Sequence, residues 1–125
     1  MPRKKSTGLT EREAEIIAIL WNLGDAGVED IRQRLSGNPT ASTVRTLLGI
    51  MAGRGLVADD GSGYGKRYRA RAPQADVQAS ALRRLIDTLF AGSTEAMLLR
   101  LMDREEIDID RLKEIQQRLK ERGET

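Results

Sequence analysis

For most of the chain the apolar residues recur at helical rather than extended spacing. The first stripe is Ile16, Ile17, Leu20, Trp21 and Leu23, wide enough for one buried helix face. Leu9-Thr10-Glu11-Arg12-Glu13 marks its start, because the Thr10 hydroxyl can accept from the amide of Glu13 while the Glu13 carboxylate reaches back to the amide of Thr10. Trp21 reads as a core anchor, and Gly24 is placed to end the helix in the left-handed conformation. After a turn at Gly24-Asp25-Ala26-Gly27, the positions of Val28, Ile31 and Leu35 predict a short second helix. Ser36-Gly37-Asn38-Pro39 breaks it, since Pro39 biases Asn38 away from helical geometry. A third helix follows over residues 40–55, capped by Thr40 or Ser42, with Val44, Leu47, Leu48 and Met51 on one face.

The rhythm then changes. Gly55-Leu56-Val57-Ala58 can leave the helix as a strand, and residues 59–65 supply turn chemistry. Lys66-Arg67-Tyr68-Arg69-Ala70-Arg71 can return as a second strand. Alternation puts Lys66, Tyr68 and Ala70 on one side and Arg67, Arg69 and Arg71 on the other. Tyr68 is expected to pack inward, and the arginines either meet phosphate or guard an edge strand against aggregation. Two helices joined by a turn and followed by such a hairpin make a winged helix-turn-helix.

Beyond residue 72 the pattern is helical throughout. Leu82, Leu85, Ile86, Leu89 and Phe90 form one stripe, in a helix from near Asp76 to just before Gly92. Ser93 can cap a helix bearing Met97, Leu98, Leu101 and Met102, and Asp108 one bearing Ile109, Leu112, Ile115 and Leu119. Some fifty residues rarely bury enough apolar surface to stand alone, so these helices either fold onto the winged domain or pair with a second copy. Pairing suits DNA half-sites, and it assigns Leu82, Leu85, Ile86, Leu89, Phe90, Leu98, Leu101, Leu112, Ile115 and Leu119 to a dimer interface. The expected fold is mainly α with a small β wing. A flexible basic tail at 1–8 leads into a winged helix-turn-helix at 9–72 and a three-helix dimerisation region at 73–125.

The outward face of the third helix gives the first functional signal. It carries Ser42, Arg45, Thr46 and Gly49, with Thr43 on its border, and no carboxylate. Thr, Ser and Gly all lower helix propensity, so this face is not chosen for helix stability. An α-helix fits the DNA major groove, small residues allow close approach, hydroxyls reach phosphates or base edges, and Arg can bond guanine bidentately.

Composition narrows the field. A chain of 125 residues suits one domain or a small domain with a helical extension. With neither Cys nor His, it lacks disulfides, thiolate or imidazole zinc sites, Cys nucleophiles and the Ser-His-Asp arrangement. No metal, cofactor or enzymatic activity is expected. Gly61-Ser62-Gly63-Tyr64-Gly65-Lys66 is similar in composition to a phosphate-binding loop, but Asp60 and Arg67 stand where that motif needs Gly and Ser or Thr. Glu105 and Glu106, read as neighbours on a helix, diverge and have no partner for acid-base work. The net charge of +2 is uneven: residues 1–72 hold twelve Lys and Arg against eight Asp and Glu, while residues 73–125 hold nine against eleven. A basic first part suits a polyanionic partner, and Arg3, Lys4 and Lys5 in the tail solubilise it or touch phosphate. No apolar run is long enough to span a bilayer or to form a signal peptide, which predicts a cytoplasmic protein without membrane insertion.

Taken together, Leu9-Thr10-x-x-Glu13, residues 16–21, Ser42-Thr43-Val44-Arg45-Thr46-Leu47-Leu48, Gly55-Leu56-Val57, Tyr68 and Leu89-Phe90-Ala91-Gly92-Ser93 resemble the penicillinase repressors, the BlaI, MecI and CopY family of bacterial regulators. The resemblance runs from about residue 9 to residue 120. It implies a homodimeric repressor on a dyad-symmetric double-stranded DNA operator, with half-sites that often contain TACA. Ser42, Thr43, Arg45 and Thr46 would face the groove, and Lys66 and Arg67 would meet the backbone. In the β-lactam-responsive branch of the family, the resemblance implies release through a membrane sensor protease that cuts the dimerisation helices; the usual Asn-Phe type scissile pair aligns with Arg100-Leu101, which departs from it. Ala41 replaces a Tyr common in the family, and the absence of Cys excludes the thiolate copper sensing of one branch. The alternatives are a winged-helix regulator gated by a small ligand between the first and fourth helices, and a winged-helix protein-interaction module.

Overall fold

A computed structural model describes residues 8–123; the expected basic tail, with Arg3, Lys4 and Lys5, lies outside them. The elements in order are α1 (Glu11–Leu23), β1 (Ala26–Gly27), α2 (Val28–Arg34), α3 (Ala41–Gly53), β2 (Val57–Asp59), β3 (Arg67–Ala70), α4 (Gln74–Leu89), α5 (Thr94–Asp103) and α6 (Ile109–Glu121). They group into two compact units, one ending at Ala81 and the other beginning at Leu82. This is a winged helix followed by helices, as the periodicity predicts. No helix among the described residues is long and apolar enough to cross a membrane.

In the first unit, α1 opens with the expected reciprocal cap: the Thr10 hydroxyl accepts from the Glu13 amide at 3.1 Å, and the Thr10 amide donates to Glu13 Oε1 at 3.0 Å. Gly24 closes the helix at positive φ, +86°, but its ψ of −64° takes it out of the left-handed helical basin that the sequence suggests. That combination is the γ-turn conformation, which glycine tolerates best. It bends the chain sharply enough for Ala26 and Gly27 to pair with β3, so part of the expected turn is a strand. The sheet is antiparallel with order β1-β3-β2, and Tyr68 stands opposite both Ala26 and Asp59. The wing strands are shorter than the sequence suggests, beginning at Val57 and Arg67 rather than Gly55 and Lys66.

Ile16, Ile17 and Leu20 of α1, Ala26 of β1, Ile31 of α2, Val44, Leu48 and Met51 of α3, and Val57 of β2 are all buried in one core, which Leu35 and Tyr68 complete. Trp21 packs half-buried against it. The inner face of α3 is therefore held from both the helical side and the sheet side. Its end is held differently. Glu13 is the one buried charged side chain among the described residues, and Arg54, the residue that caps α3, donates to its carboxylate at 3.1 and 3.3 Å. Arg54 also donates to the carbonyl of Gly8 at 2.9 Å. Gly55, at φ +78°, then turns the chain into β2.

The second unit is built on another plan. Ser93 and Asp108 cap α5 and α6, accepting from the amides of Ala96 and Arg111 at 3.0 and 2.8 Å. Glu105 and Glu106 lie in the loop between these helices, with Glu105 at φ +60°, and not on a helix as the sequence reading has them. Both are exposed, and Glu106 pairs with Arg104 at 3.5 Å. Only Ile86 is buried among this unit's described apolar side chains, while Leu82, Leu85, Leu89, Leu99, Leu101, Ile109, Ile115 and Leu119 stand in the open.

The two partners of the Glu13–Arg54 pair differ in their contact with water. The Glu13 side chain keeps 5% of its surface and that of Arg54 keeps 23%. Arg54→Ala strands a carboxylate in the core and is expected to cost about 3 kcal/mol. Glu13→Ala should cost less, although it also opens the α1 cap, because the guanidinium left behind can be hydrated. Urea unfolding of the two variants checks the order; equal losses would contradict it.

Candidate nucleic-acid interface

The outward side of α3 follows from its inward one. With Val44, Leu48 and Met51 fully buried and Leu47 half-buried, Ser42, Thr43, Arg45, Thr46, Gly49, Ile50 and Gly53 are left exposed. Thr40, not Ser42, is the cap: its hydroxyl accepts from the Thr43 amide at 3.1 Å. Ser42 is thereby kept for the exposed face. No carboxylate lies in this helix.

Two glycines in the helix need an explanation. A Cβ built on Gly49 or on Gly53 would meet nothing within 4 Å, and neither has a positive φ. Packing does not require them, and each costs roughly 1 kcal/mol of helix stability relative to Ala. What they provide is a helix surface without side chains, open to close approach by something outside the fold.

Arg45 stands on the flank of this face. It borders a cleft of about 530 Å³ whose other walls include Glu29 at the start of α2 and residues 63–66 of the wing. Arg45 has no ion-pair partner among the described residues, although its charge reaches Glu29. The Glu29 carboxyl lies below its ordinary range mainly because Arg32 hydrogen-bonds it, with Arg45 adding a smaller attraction. The cleft thus sets a cation of α3 opposite the wing.

The wing loop is shaped by its own aspartates. Asp59 accepts from the Gly61 amide at 2.8 Å, and Asp60 accepts from the amide and hydroxyl of Ser62 at 3.1 and 2.8 Å. These last bonds hold the Asp60 carboxyl below the usual carboxylate range. Tyr64, at the tip, is 97% exposed. The two cations assigned to the DNA backbone both have internal partners. Lys66 lies 3.7 Å from Asp59, and Arg67 donates to Asp25 Oδ1 at 2.7 and 3.1 Å with Asp30 at 3.9 Å. Arg69, on the same side of β3, and Arg71, just beyond its end, are exposed without an ion-pair partner among the described residues. Sequence reasoning missed the Asp25–Arg67 link because the partners are 42 positions apart. It also passed over Ile50 and Tyr64, whose signal is their exposure.

The remaining sequence-assigned residues lie in the second unit. Leu82, Leu85, Leu89, Leu101, Ile115 and Leu119 are exposed, Phe90, Leu98 and Leu112 are half-buried, and Ile86 is buried. Arg100 and Leu101 sit inside α5, where Arg100 pairs with Asp103 at 3.2 Å.

The chain is also similar in sequence to known proteins. The chain is 24% identical over 119 residues to a protein of Latilactobacillus sakei described as an uncharacterised 16.5 kDa protein in the ptsI 3' region, covering 94% of this chain and 82% of that one. The sequence profile described as penicillinase repressor matches residues 9–121, which take in every helix and strand from α1 to α6. With a match over nearly its whole length, the chain belongs to the penicillinase repressor family of DNA-binding transcriptional regulators.

Proposed function

We propose that this protein is a sequence-specific repressor that binds a dyad-symmetric operator as a homodimer. In this reading Ser42, Thr43, Arg45, Thr46 and Gly49 enter the major groove, and Lys66 and Arg67 meet the phosphate backbone beside it. The observation that carries the reading is the outward face of α3, where Gly49 and Gly53 leave the backbone bare without any need of the fold. A surface like this suits a partner that approaches closely, and the absence of carboxylates suits one that is negatively charged. Because Lys66 and Arg67 are already paired with Asp59 and Asp25, a phosphate must compete for them. Backbone contact through the wing is then weaker than two unpaired cations would give.

Dimerisation is supported by the second unit, whose Leu82, Leu85 and Leu89 lie along one face of α4 with little to cover them. A second copy would bury these side chains at roughly 25 cal/mol per Å² of apolar surface. It would also join two recognition helices, so that docking of one raises the effective concentration of the other at its half-site. Proteolysis between Arg100 and Leu101 would end that linkage and leave α3 untouched. Since the bond lies within α5, a protease must first open that helix locally.

Four measurements test these assignments. Fluorescence anisotropy against a TACA/TGTA duplex and a scrambled one, titrated across salt, should show selective binding with a steep salt slope; equal and weak binding would leave an operator code diverged through Ala41 or a protein-interaction module. Arg45→Ala should cost about 1–3 kcal/mol on the operator and little on the scrambled duplex, whereas Arg67→Ala should weaken both alike and flatten the slope. Leu85→Asp should shift the monomer-dimer equilibrium in sedimentation toward monomer and weaken operator binding, and an unmoved equilibrium would remove α4 from the interface. Incubation with a membrane sensor protease should yield a fragment ending at Arg100; an intact chain would rule out release by this route.

A further inference from the structure

Ile50 is a large aliphatic side chain left half exposed, 50%, on the recognition helix. It lies one turn beyond Thr46 on the same side of α3, and the face they share also carries the bare backbone of Gly49 and Gly53. An exposed isoleucine alone is ordinary. Its neighbour makes it informative.

The sequence suggests that the hydroxyls of this face reach outward to phosphates or base edges. For Thr46 the structure gives a different disposition: its hydroxyl donates to the carbonyl of Ser42 at 3.0 Å, one turn back in its own helix. The hydroxyl hydrogen is committed to the backbone, so Thr46 can offer a partner only an oxygen acceptor and a methyl group. Beside it, Ile50 offers only hydrocarbon. The C-terminal half of the face, from Thr46 to Gly53, therefore carries no free polar hydrogen, while Arg45 stands on its flank.

We infer that Ile50, with the methyl of Thr46, is a base-reading residue that contacts thymine C5-methyl groups in the major groove. The inference rests on the repressor reading and specifies part of its code. In the major groove the thymine methyl is the one apolar mark among the base edges, and aliphatic side chains recognise it by excluding water. Thr46 and Ile50 are about 6 Å apart along the helix axis, the rise of roughly two base-pair steps, so they can meet methyls on pairs within two steps of each other. The two glycines bring the helix close enough for short side chains to reach the groove floor. Arg45 and the carboxylate-free helix fit the polyanion that carries those methyls, which favours DNA over a second protein copy as the group that covers Ile50.

The test uses the full chain and the tightest duplex it selects from a randomised pool, with each thymine replaced in turn by deoxyuridine to remove its methyl. Wild-type binding should fall about fourfold at one or two thymines per half-site, the loss expected for one buried methyl. Ile50→Ala should bind the unmodified duplex several-fold more weakly and be indifferent to the methyl at one of those thymines, while Ile50→Val keeps part of the sensitivity. Both variants should melt like the wild type, since Ile50 lies outside the core. Binding that ignores every methyl, or an Ile50→Ala variant that remains as methyl-sensitive as the wild type, overturns the inference and leaves the repressor reading intact. An Ile50→Ala variant with an altered monomer-dimer equilibrium and unchanged methyl sensitivity overturns it too, by placing Ile50 against a second copy. Failure to select any duplex overturns both readings.

Discussion

The Glu13–Arg54 pair joins the two places where this fold is most exposed to error. Glu13 completes the cap that starts α1, and Arg54 is the residue at which α3 stops. A carboxylate taken out of water is tolerable only with a partner and further hydrogen bonds, and here it has both, from the Arg54 guanidinium and the Thr10 amide. The pair therefore fixes where α3 ends relative to α1, while Val44, Leu48 and Met51 fix its rotation. Two independent constraints, one electrostatic and one hydrophobic, leave a single choice of outward face.

Much of this arrangement is legible in the chain. The fold class follows from helical periodicity, and the caps at Thr10, Ser93 and Asp108 follow from short side-chain oxygens placed before amphipathic runs. Between Thr40 and Ser42 local pattern does not decide, since either residue can cap; in the structure the Thr40 hydroxyl accepts from the Thr43 amide and takes that place. β1 was hidden for another reason. Two residues carry no alternation, and Ala26 and Gly27 are strand only because Tyr68 and Arg67 lie alongside.

The site was legible to the level of the helix face and no further. Spacing identifies Ser42, Arg45, Thr46 and Gly49 as neighbours, but it does not say where a hydroxyl points. Thr46 turns back to the carbonyl of Ser42, a local bond that competes with any outward one. The partners of the wing cations are likewise invisible, because Asp25 and Arg67 meet only when β1 pairs with β3. That link makes the wing's charge partly an internal matter: Arg67 helps hold the edge of the sheet.

Gly49 and Gly53 carry one more consequence. Because nothing among the described residues lies within 4 Å of where their side chains would be, a substitution at either position changes the surface of α3 without disturbing the core. Most of them would make the helix more stable. Descendants of this chain can thus sample new side chains on this face of α3 without losing the ability to fold, so the chemistry of the exposed surface can drift independently of the scaffold. In evolutionary terms, these two positions uncouple innovation from robustness.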